Sequence, residues 1–335
     1  MLIGAGLLLV TGVFSDGYAH SNFVEEMESF LTPWHGLIFI GYLACLAVIS
    51  VAVRARVVEG MALVHAVPPG WNAPALGVGL FTLGFLGDGV WHTVYGIEAD
   101  LEALLSPTHL LMLAGALAVM AGPLLAEWRS DVTGRRASPA EFGPALASLT
   151  LVMATISFFL NWTWPVIHGR PLESFSEFAA SQGEAEPVLK GLGEVSGVAS
   201  YLVFAIVLVA PILLLARRWE IPRGAVLLVT MVPWVLMNAA FMSFFAWQRL
   251  IPAAMGALVA EFLLARVQHR GGIWPWRLVG AMLPLVVFGL DMVVMQLVWN
   301  LGWPPELIVG TVVGSAFVGY GASILTHPPA VPVGS

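Results

Sequence analysis

Long apolar runs separated by short polar segments extend along the whole chain. A helix needs roughly 20 mostly apolar residues to cross a bilayer, and it satisfies its own backbone hydrogen bonds there. By this criterion the pattern predicts an all-α integral membrane protein with about ten transmembrane helices. The predicted helices cover residues 2–22, 33–53, 72–96, 107–126, 145–167, 190–216, 224–247, 252–267, 276–299 and 304–326.

The basic residues between these helices predict their orientation. Lys and Arg accumulate in the cytoplasmic loops of membrane proteins. Most arginines follow every second predicted helix, whereas Arg170, Lys190 and Arg249 fall on the opposite side. Both termini are therefore expected in the cytoplasm, at the cell (inner or plasma) membrane, and the helices are expected to form five hairpins that point outward. The arginines of the cytoplasmic side are Arg54, Arg56, Arg129, Arg135, Arg136, Arg217, Arg218, Arg223, Arg266, Arg270 and Arg277.

We expect one membrane domain with internal repeats. Residues 1–126 contain two similar hairpins, residues 127–326 contain further hairpins with degenerate copies, and residues 327–335 form a cytoplasmic tail. The composition agrees, because 59% of the residues are apolar and 10% are charged, which excludes an ordinary soluble domain. Membrane lipid is the expected surrounding, and no nucleic-acid partner is expected.

One motif occurs twice near the N-terminus. Residues 16–44 read DGYAHSNFVEEMESFLTPWHGLIFIGYLA, and residues 88–118 read DGVWHTVYGIEADLEALLSPTHLLMLAGALA. Each copy contains an Asp-Gly pair, a His four residues after the Asp, a Ser/Thr-Pro pair and a second His. Such self-similarity indicates a repeated structural unit. We name Asp16, His20 and His35 the first triad, and Asp88, His92 and His109 the second triad.

The spacing predicts that the three side chains of each triad converge. Residues four apart share one face of a helix. Pro33 and Pro107 suit the first turn of the following helix, which places the second His at the hairpin tip beside the other two side chains. Each hairpin then presents one carboxylate and two imidazoles. This donor set suits copper, iron or zinc and argues against magnesium and calcium, and an open coordination position is typical of a catalytic site.

Other residues are candidates for supporting roles. Glu26 and Glu98 each lie six residues after the first His of their motif. They are candidates for holding an imidazole or relaying a proton, for bridging metal ions, or for plain loop surface. Ionisable residues at membrane depth tend to be functional, and the later hairpins carry degenerate copies of the motif. The additional candidates are His168, Glu194, Glu261, Asp291 and Glu306.

The duplicated motif carries a resemblance to a known family. DGVWH with SPTH, and DGYAH followed by TPWHGLIFIGYLA, resemble the two metal-site segments of the C subunit of the copper membrane monooxygenases, the particulate methane and ammonia monooxygenases. The resemblance implies copper in the second triad and a neighbouring site in the first, where the family has Asn in place of Asp16. It further implies an oxidoreductase, or a subunit of one, for a small apolar substrate. Other monooxygenase-type subunits or an external electron donor are the implied partners.

Two other functions can use the same ligands. A membrane metallohydrolase uses zinc to activate water, with a carboxylate as general base. A metal acquisition or transport protein carries polar residues through its helices. Glu261 and the region of Asn238 are the candidates for such a path in this sequence. The ligand types alone do not choose among copper, zinc and iron.

Overall fold

The computed structural model describes residues 1–23, 32–96, 100–130, 139–163, 186–241, 246–268, 272–299 and 301–328. The regular structure within these ranges is helical, including three short 3-10 helices at Leu63–His65, Asn161–Thr163 and Trp247–Arg249. The α-helices in chain order are α1 (Leu2–Asn22), α2 (Pro33–Val58), α3 (Asn72–Tyr95), α4 (Asp100–Leu105), α5 (Pro107–Met120), α6 (Gly122–Arg129), α7 (Pro139–Phe159), α8 (Glu186–Arg218), α9 (Ala225–Phe241), α10 (Leu250–Val267), α11 (Trp274–Trp299) and α12 (Pro305–Thr326).

In the described part of the chain, eight helices are long and apolar enough to cross a membrane. They are α1, α2, α3, α7, α8, α10, α11 and α12. The prediction of a helical, multi-pass membrane protein is therefore confirmed. Two predicted helices differ, since residues 107–126 fall on α5 and α6, which meet at a 42° bend, and α9 is a shorter apolar helix. The count of ten spans stays a prediction.

The bend between α5 and α6 has a local cause. Pro123 lies in the first turn of α6, and a proline lacks the backbone N–H that would continue the ladder of α5. The Ser148 hydroxyl of α7 compensates by donating to the Met120 carbonyl and accepting from the Leu124 N–H at 3.1 Å. The break is thus hydrogen-bonded although it lies in an apolar segment.

The described helices group into two compact units. The first unit contains α1 to α7, and the second contains α8, α10, α11, α12 and most of α9. In the first unit, α1 packs along α2 and α3 packs along α5. In the second unit, α11 packs against α10 and α12, and α8 packs against α12. The first unit therefore holds both copies of the duplicated motif.

A glycine in each hairpin of the first unit allows close helix packing beside the motif. A Cβ placed on Gly12 would lie 2.6 Å from the Ile38 nitrogen, and one placed on Gly84 would lie 2.8 Å from the Thr108 carbonyl oxygen. Both distances are below the 3.0 Å that real Cβ atoms keep. Each glycine lies four residues before the Asp of its motif, so the Asp follows one turn beyond a point of close helix approach.

A second pair of glycines shows that the two hairpins share one register. Gly41 and Gly115 each lie six residues after the second His of their motif. A Cβ on Gly41 would clash with the Leu9 backbone, and one on Gly115 would lie 2.6 Å from the Phe81 nitrogen. Leu9 and Phe81 each lie seven residues before the Asp. Equivalent positions therefore meet in both hairpins.

The second unit contains a buried ion pair. Arg249 donates from Nε to Oδ1 of Asp291 at 2.9 Å and from Nη2 to Oδ2 at 2.5 Å. The Tyr201 hydroxyl donates to the same Oδ2 at 2.7 Å. All three side chains are 1% exposed or less, so Arg249 belongs to the interior of the second unit and not to a solvated loop. A fully hydrogen-bonded pair of this kind keeps two charges compatible with an apolar interior.

Candidate metal centres

The first triad is assembled from α1 and the start of α2. Asp16 and His20 lie one turn apart on α1, and His35 is the third residue of α2. Nε2 of His20 lies 3.6 Å from Oδ2 of Asp16, and Nε2 of His35 lies 3.4 Å from Oδ1. The carboxylate is 14% exposed and the His20 side chain 47% exposed. The centre thus has a buried carboxylate side and an accessible imidazole side.

These distances fit shared coordination better than direct hydrogen bonding. An N–H···O hydrogen bond spans roughly 2.7–3.2 Å, whereas two ligand atoms on one tetrahedral metal ion lie about 3.4 Å apart. Oδ1 of Asp16 is buried and accepts no hydrogen bond from the described residues. A buried carboxylate oxygen without a donor is costly, and a bound cation removes that cost. The donor set and this oxygen therefore fit a metal ion.

Helix caps place the second His of each triad. The Thr32 hydroxyl accepts from the His35 N–H at 3.1 Å, and Pro33 occupies the first turn of α2. In the other copy the Ser106 hydroxyl accepts from the backbone N–H three residues later at 3.3 Å, and Pro107 occupies the first turn of α5. The predicted first-turn position of both prolines is confirmed. An N-cap hydroxyl fixes the first turn and with it the imidazole.

The second triad is assembled in the same way from α3 and α5. Nε2 of His92 lies 3.2 Å from Oδ2 of Asp88, and Nδ1 of His109 lies 3.4 Å from Oδ1. The Asp88 side chain is 5% exposed, so this carboxylate is more deeply buried than that of the first triad. The two imidazole rings are 6.3 Å apart and approach opposite oxygens of the carboxylate.

A backbone contact orients His92. Nδ1 of His92 lies 3.1 Å from the Gly96 carbonyl oxygen, and Gly96 ends α3 with φ at +85°, a backbone conformation that glycine adopts without strain. A neutral imidazole that donates from Nδ1 carries its lone pair on Nε2. That lone pair faces a carboxylate oxygen at 3.2 Å. Two acceptors facing each other repel unless a proton or a metal cation lies between them, so this geometry also fits a cation.

A hydroxyl network connects the other two ligands of the second triad. The Thr108 hydroxyl donates to Oδ1 of Asp88 at 2.7 Å. The Ser106 hydroxyl lies 3.1 Å from the Thr108 hydroxyl and 2.7 Å from Nδ1 of His109. One turn of α5 therefore supplies the helix cap, the hydrogen bond to the carboxylate and the second imidazole.

The triads differ in how closely their ligand atoms converge. In the first triad, one ligand atom from each residue lies within 4.8 Å of the ligand atoms of the other two. Among the described residues, no other group of three or more His, Cys, Asp or Glu side chains is as close together. The second triad does not form a group with that spacing, and in it Nδ1 of His109 lies 2.7 Å from the Ser106 hydroxyl.

The two triads are neighbours within the first unit. The Asp16 carboxylate lies within electrostatic range of the His109 imidazole. Aromatic rings fill the space between α2 and α3, where Phe39 stacks on His35 with ring centroids 6.4 Å apart and Phe85 meets Phe39 edge-on at 4.7 Å. One turn below, the Tyr42 hydroxyl hydrogen-bonds the Thr82 hydroxyl at 2.5 Å. Phe39 and Phe85 thus provide an aromatic contact between α2 and α3 beside His35.

The predicted supporting and additional residues include Glu26, Glu98, His168, Glu194 and Glu306. Glu26, Glu98 and His168 lie outside the described residues. Glu194 is half-buried on α8, and Glu306 is exposed in the first turn of α12. Neither belongs to a group of potential ligands in the part of the chain that the structure describes.

The candidate residues at membrane depth form hydrogen bonds or ion pairs with other residues of the protein. Asp291 is paired with Arg249 and Tyr201. Glu261 accepts from the Leu227 N–H at 3.1 Å and thereby caps the start of α9. Asn238 donates to the Ala246 carbonyl at 3.0 Å and accepts from its N–H at 2.9 Å. These contacts give structural roles to the polar residues that suggested a transport path.

Residues that the motif alone did not indicate also belong to the centres. Gly12 and Gly84 permit the helix approach, and Thr108 holds the Asp88 carboxylate. The glycines could have been found by extending the comparison of the two copies four residues towards the N-terminus. Thr108 had no such signal, because the equivalent position in the first copy is Trp34.

Comparison of the chain with protein-family models, with curated proteins and with solved structures finds no match. The function is therefore argued from the geometry of the two triads and from their motif.

Proposed function

We propose that this chain is a membrane-embedded copper protein, and that it is a monooxygenase-like oxidoreductase or a subunit of one. The observation that carries the proposal is the first triad. There, a buried carboxylate oxygen that no described residue hydrogen-bonds faces one imidazole at 3.4 Å, and a second imidazole lies 3.6 Å from the other oxygen. The donor set suits copper, iron or zinc, and the choice of copper rests on the resemblance of the motif to the copper membrane monooxygenases.

Each residue of a triad has a defined task in this proposal. The Asp supplies the negative charge that offsets the charge of the ion, and the two imidazoles complete the binding face. Bound copper supplies one-electron redox chemistry and an open coordination position. The helix caps and close glycine contacts hold the ligands in place, so little reorganisation accompanies binding.

The surroundings of the first triad support a small apolar substrate. Tyr18, Phe23 and Trp34 form a chain of ring contacts next in sequence to the ligands, with centroids 5.7 Å and 6.1 Å apart. Tyr18 and Phe23 are each more than two-fifths exposed. An exposed aromatic surface beside a metal centre suits an apolar molecule that arrives from lipid.

The arginine pattern supports a cell (inner or plasma) membrane location with both termini in the cytoplasm. In that orientation both triads lie near the outer face, at the tips of outward-pointing hairpins. Other monooxygenase-type subunits or an external electron donor are the partners that the resemblance implies.

Metal analysis tests the proposal. The full chain is purified in detergent without added metal, and its metal content is measured by mass spectrometry together with that of His35→Ala and His109→Ala. We expect copper, with each variant retaining less of it than the parent. His65→Ala is the matched control, because His65 is exposed in the 3-10 helix Leu63–His65 and should leave the copper content unchanged.

Two outcomes contradict the proposal in different ways. Stoichiometric zinc in place of copper contradicts the copper assignment and favours the alternative of a membrane hydrolase. If the parent binds no metal and the double His35→Ala, His109→Ala variant is as stable as the parent, the triads are not metal centres.

A further inference from the structure

The two triads differ in one contact that the shared motif does not account for. In the second triad the Thr108 hydroxyl donates to Oδ1 of Asp88 at 2.7 Å. The equivalent residue of the first copy is Trp34, which has no hydroxyl, and Oδ1 of Asp16 accepts no hydrogen bond within the described part of the chain. Thr108 is buried, and it is not one of the six ligands of the two triads.

The contact also links the ligands to each other. The Thr108 hydroxyl lies 3.1 Å from the Ser106 hydroxyl, which lies 2.7 Å from Nδ1 of His109. Both hydroxyls belong to the first turn of α5, whereas Asp88 belongs to α3. The hydrogen bond from Thr108 therefore connects the two helices of the hairpin at the point where the ligands meet.

A carboxylate held in this way has its orientation set before an ion binds. Hydrogen bonds from outside the ligand set orient metal ligands, and their removal typically weakens metal binding by roughly 10–100-fold. A carboxylate has about four lone-pair positions, so a hydrogen bond to Oδ1 leaves positions for an ion. The contact thus holds Asp88 in place without excluding a metal ion from it.

We propose that Thr108 is a positioning residue that sets the copper affinity of the second triad by holding Asp88. The inference rests on the proposed function, since it concerns the same copper centre. In the first triad no described residue donates a hydrogen bond to Oδ1 of Asp16 in this way. The two centres therefore have different affinities although their three ligands are identical in type.

The test isolates the second triad by using His35→Ala as the background. Copper(II) is titrated into the full chain in detergent, in competition with a chelator of known affinity, and the electron paramagnetic resonance spectrum of the bound ion is recorded. Thr108→Val in this background is expected to bind copper roughly 10–100-fold more weakly, with altered spectral parameters. Thr108→Ser keeps a hydroxyl and is expected to restore both affinity and spectrum.

Thr155→Val is the matched control. Thr155 is buried in α7, and its hydroxyl is bonded to the Leu151 carbonyl at 2.9 Å within its own helix. Removing it changes a buried hydroxyl in the same unit without touching a ligand, so affinity and spectrum should match those of the His35→Ala parent.

The outcomes separate this inference from the proposed function. If His35→Ala binds no copper while Thr108 is intact, the proposed copper centre at the second triad is overturned, and the role of Thr108 falls with it. If His35→Ala binds copper and Thr108→Val binds it equally well or more tightly, the positioning role alone is overturned. Failure of Thr108→Ser to restore the parent affinity also overturns it.

Discussion

At the scale of single residues, the two carboxylates have the same motif but opposite hydrogen-bonding states. Oδ1 of Asp16 is buried without a donor among the residues that the structure describes, whereas Oδ1 of Asp88 accepts from Thr108. Leaving a buried polar atom unpaired costs about 1–3 kcal/mol. In the metal-free protein, Asp16 therefore lowers the free energy of unfolding, whereas Oδ1 of Asp88 is hydrogen-bonded within a network of hydroxyl groups.

This difference predicts opposite effects of removing each carboxylate. Asp88→Ala leaves the Thr108 hydroxyl without its acceptor and should lower the unfolding free energy of the metal-free protein by about 1–3 kcal/mol more than Asp16→Ala does. Chemical denaturation in detergent, with a chelator present, measures both. An equal loss for the two variants would show that the unpaired oxygen of Asp16 has a partner in solution.

Copper binding should change the contribution of Asp16 to stability from destabilising to stabilising. Copper at about 100 times its dissociation constant stabilises a binding protein by about 2.7 kcal/mol. We expect the parent to show such a gain in thermal unfolding, and Asp16→Ala to lose the part contributed by the first triad. A copper-induced shift in Asp16→Ala as large as that of the parent would remove Asp16 from the ligand set.

At the scale of helices, close packing of each hairpin is what allows its three ligands to meet. Gly12 and Gly84 face the backbone of the partner helix one turn before the Asp. A methyl group at either position forces the helices apart, and such overpacking costs about 1–3 kcal/mol. The displacement also separates the Asp from the second His.

We therefore expect Gly12→Ala to weaken copper binding at the first triad and Gly84→Ala to weaken it at the second. A methyl group on Gly4 of α1 or Gly79 of α3 would meet no neighbouring atom of the described residues within 4 Å, so Gly4→Ala and Gly79→Ala are matched controls that should keep full binding. Copper titration of the four variants is the measurement. Equal binding by Gly12→Ala, Gly84→Ala and their controls would show that helix spacing does not set the ligand geometry.

The packing of the second unit depends on a different contact between elements. Arg249, Asp291 and Tyr201 join the start of α10 to α11 and α8. Breaking a buried pair by removing one partner is strongly destabilising, by about 3–5 kcal/mol, whereas replacing both partners with apolar residues is often neutral.

Arg249→Met and Asp291→Leu should therefore each lower the stability of the chain by about 3–5 kcal/mol, and the double variant should recover most of the loss. Thermal unfolding in detergent measures the three variants against the parent. A double variant that is less stable than either single variant would contradict this account and indicate a further role for the charges.

At the scale of the whole molecule, the arginine pattern predicts which ends of the helices face the cytoplasm. Val64 follows α2 and is 81% exposed, and Tyr95 ends α3 and is 68% exposed. In a Cys45→Ala background, a membrane-impermeant maleimide added to intact cells should label Tyr95→Cys and not Val64→Cys. Labelling in opened cells is the control for both. The reverse pattern would place the triads at the cytoplasmic face.

The apolar runs and the repeated motif were sufficient to predict much of this protein. Run length indicates membrane-crossing helices because lipid offers no other partner for backbone groups. The Asp and first His of each triad meet because a helix repeats about every 3.6 residues, and each proline begins the next helix because its first turn needs no N–H at that position. These features depend on local chemistry, which is readable along the chain.

Other features depend on contacts between distant segments, and only the tertiary structure reveals them. Ser148 bonds the break between α5 and α6, and Arg249 neutralises Asp291. The contrast between Asp16 and Asp88 likewise arises from Thr108 on a different helix. The reason is physical: the motif specifies which donor atoms a hairpin carries, whereas burial and hydrogen bonding by neighbouring helices decide which of those atoms has a hydrogen-bond partner in the described part of the chain.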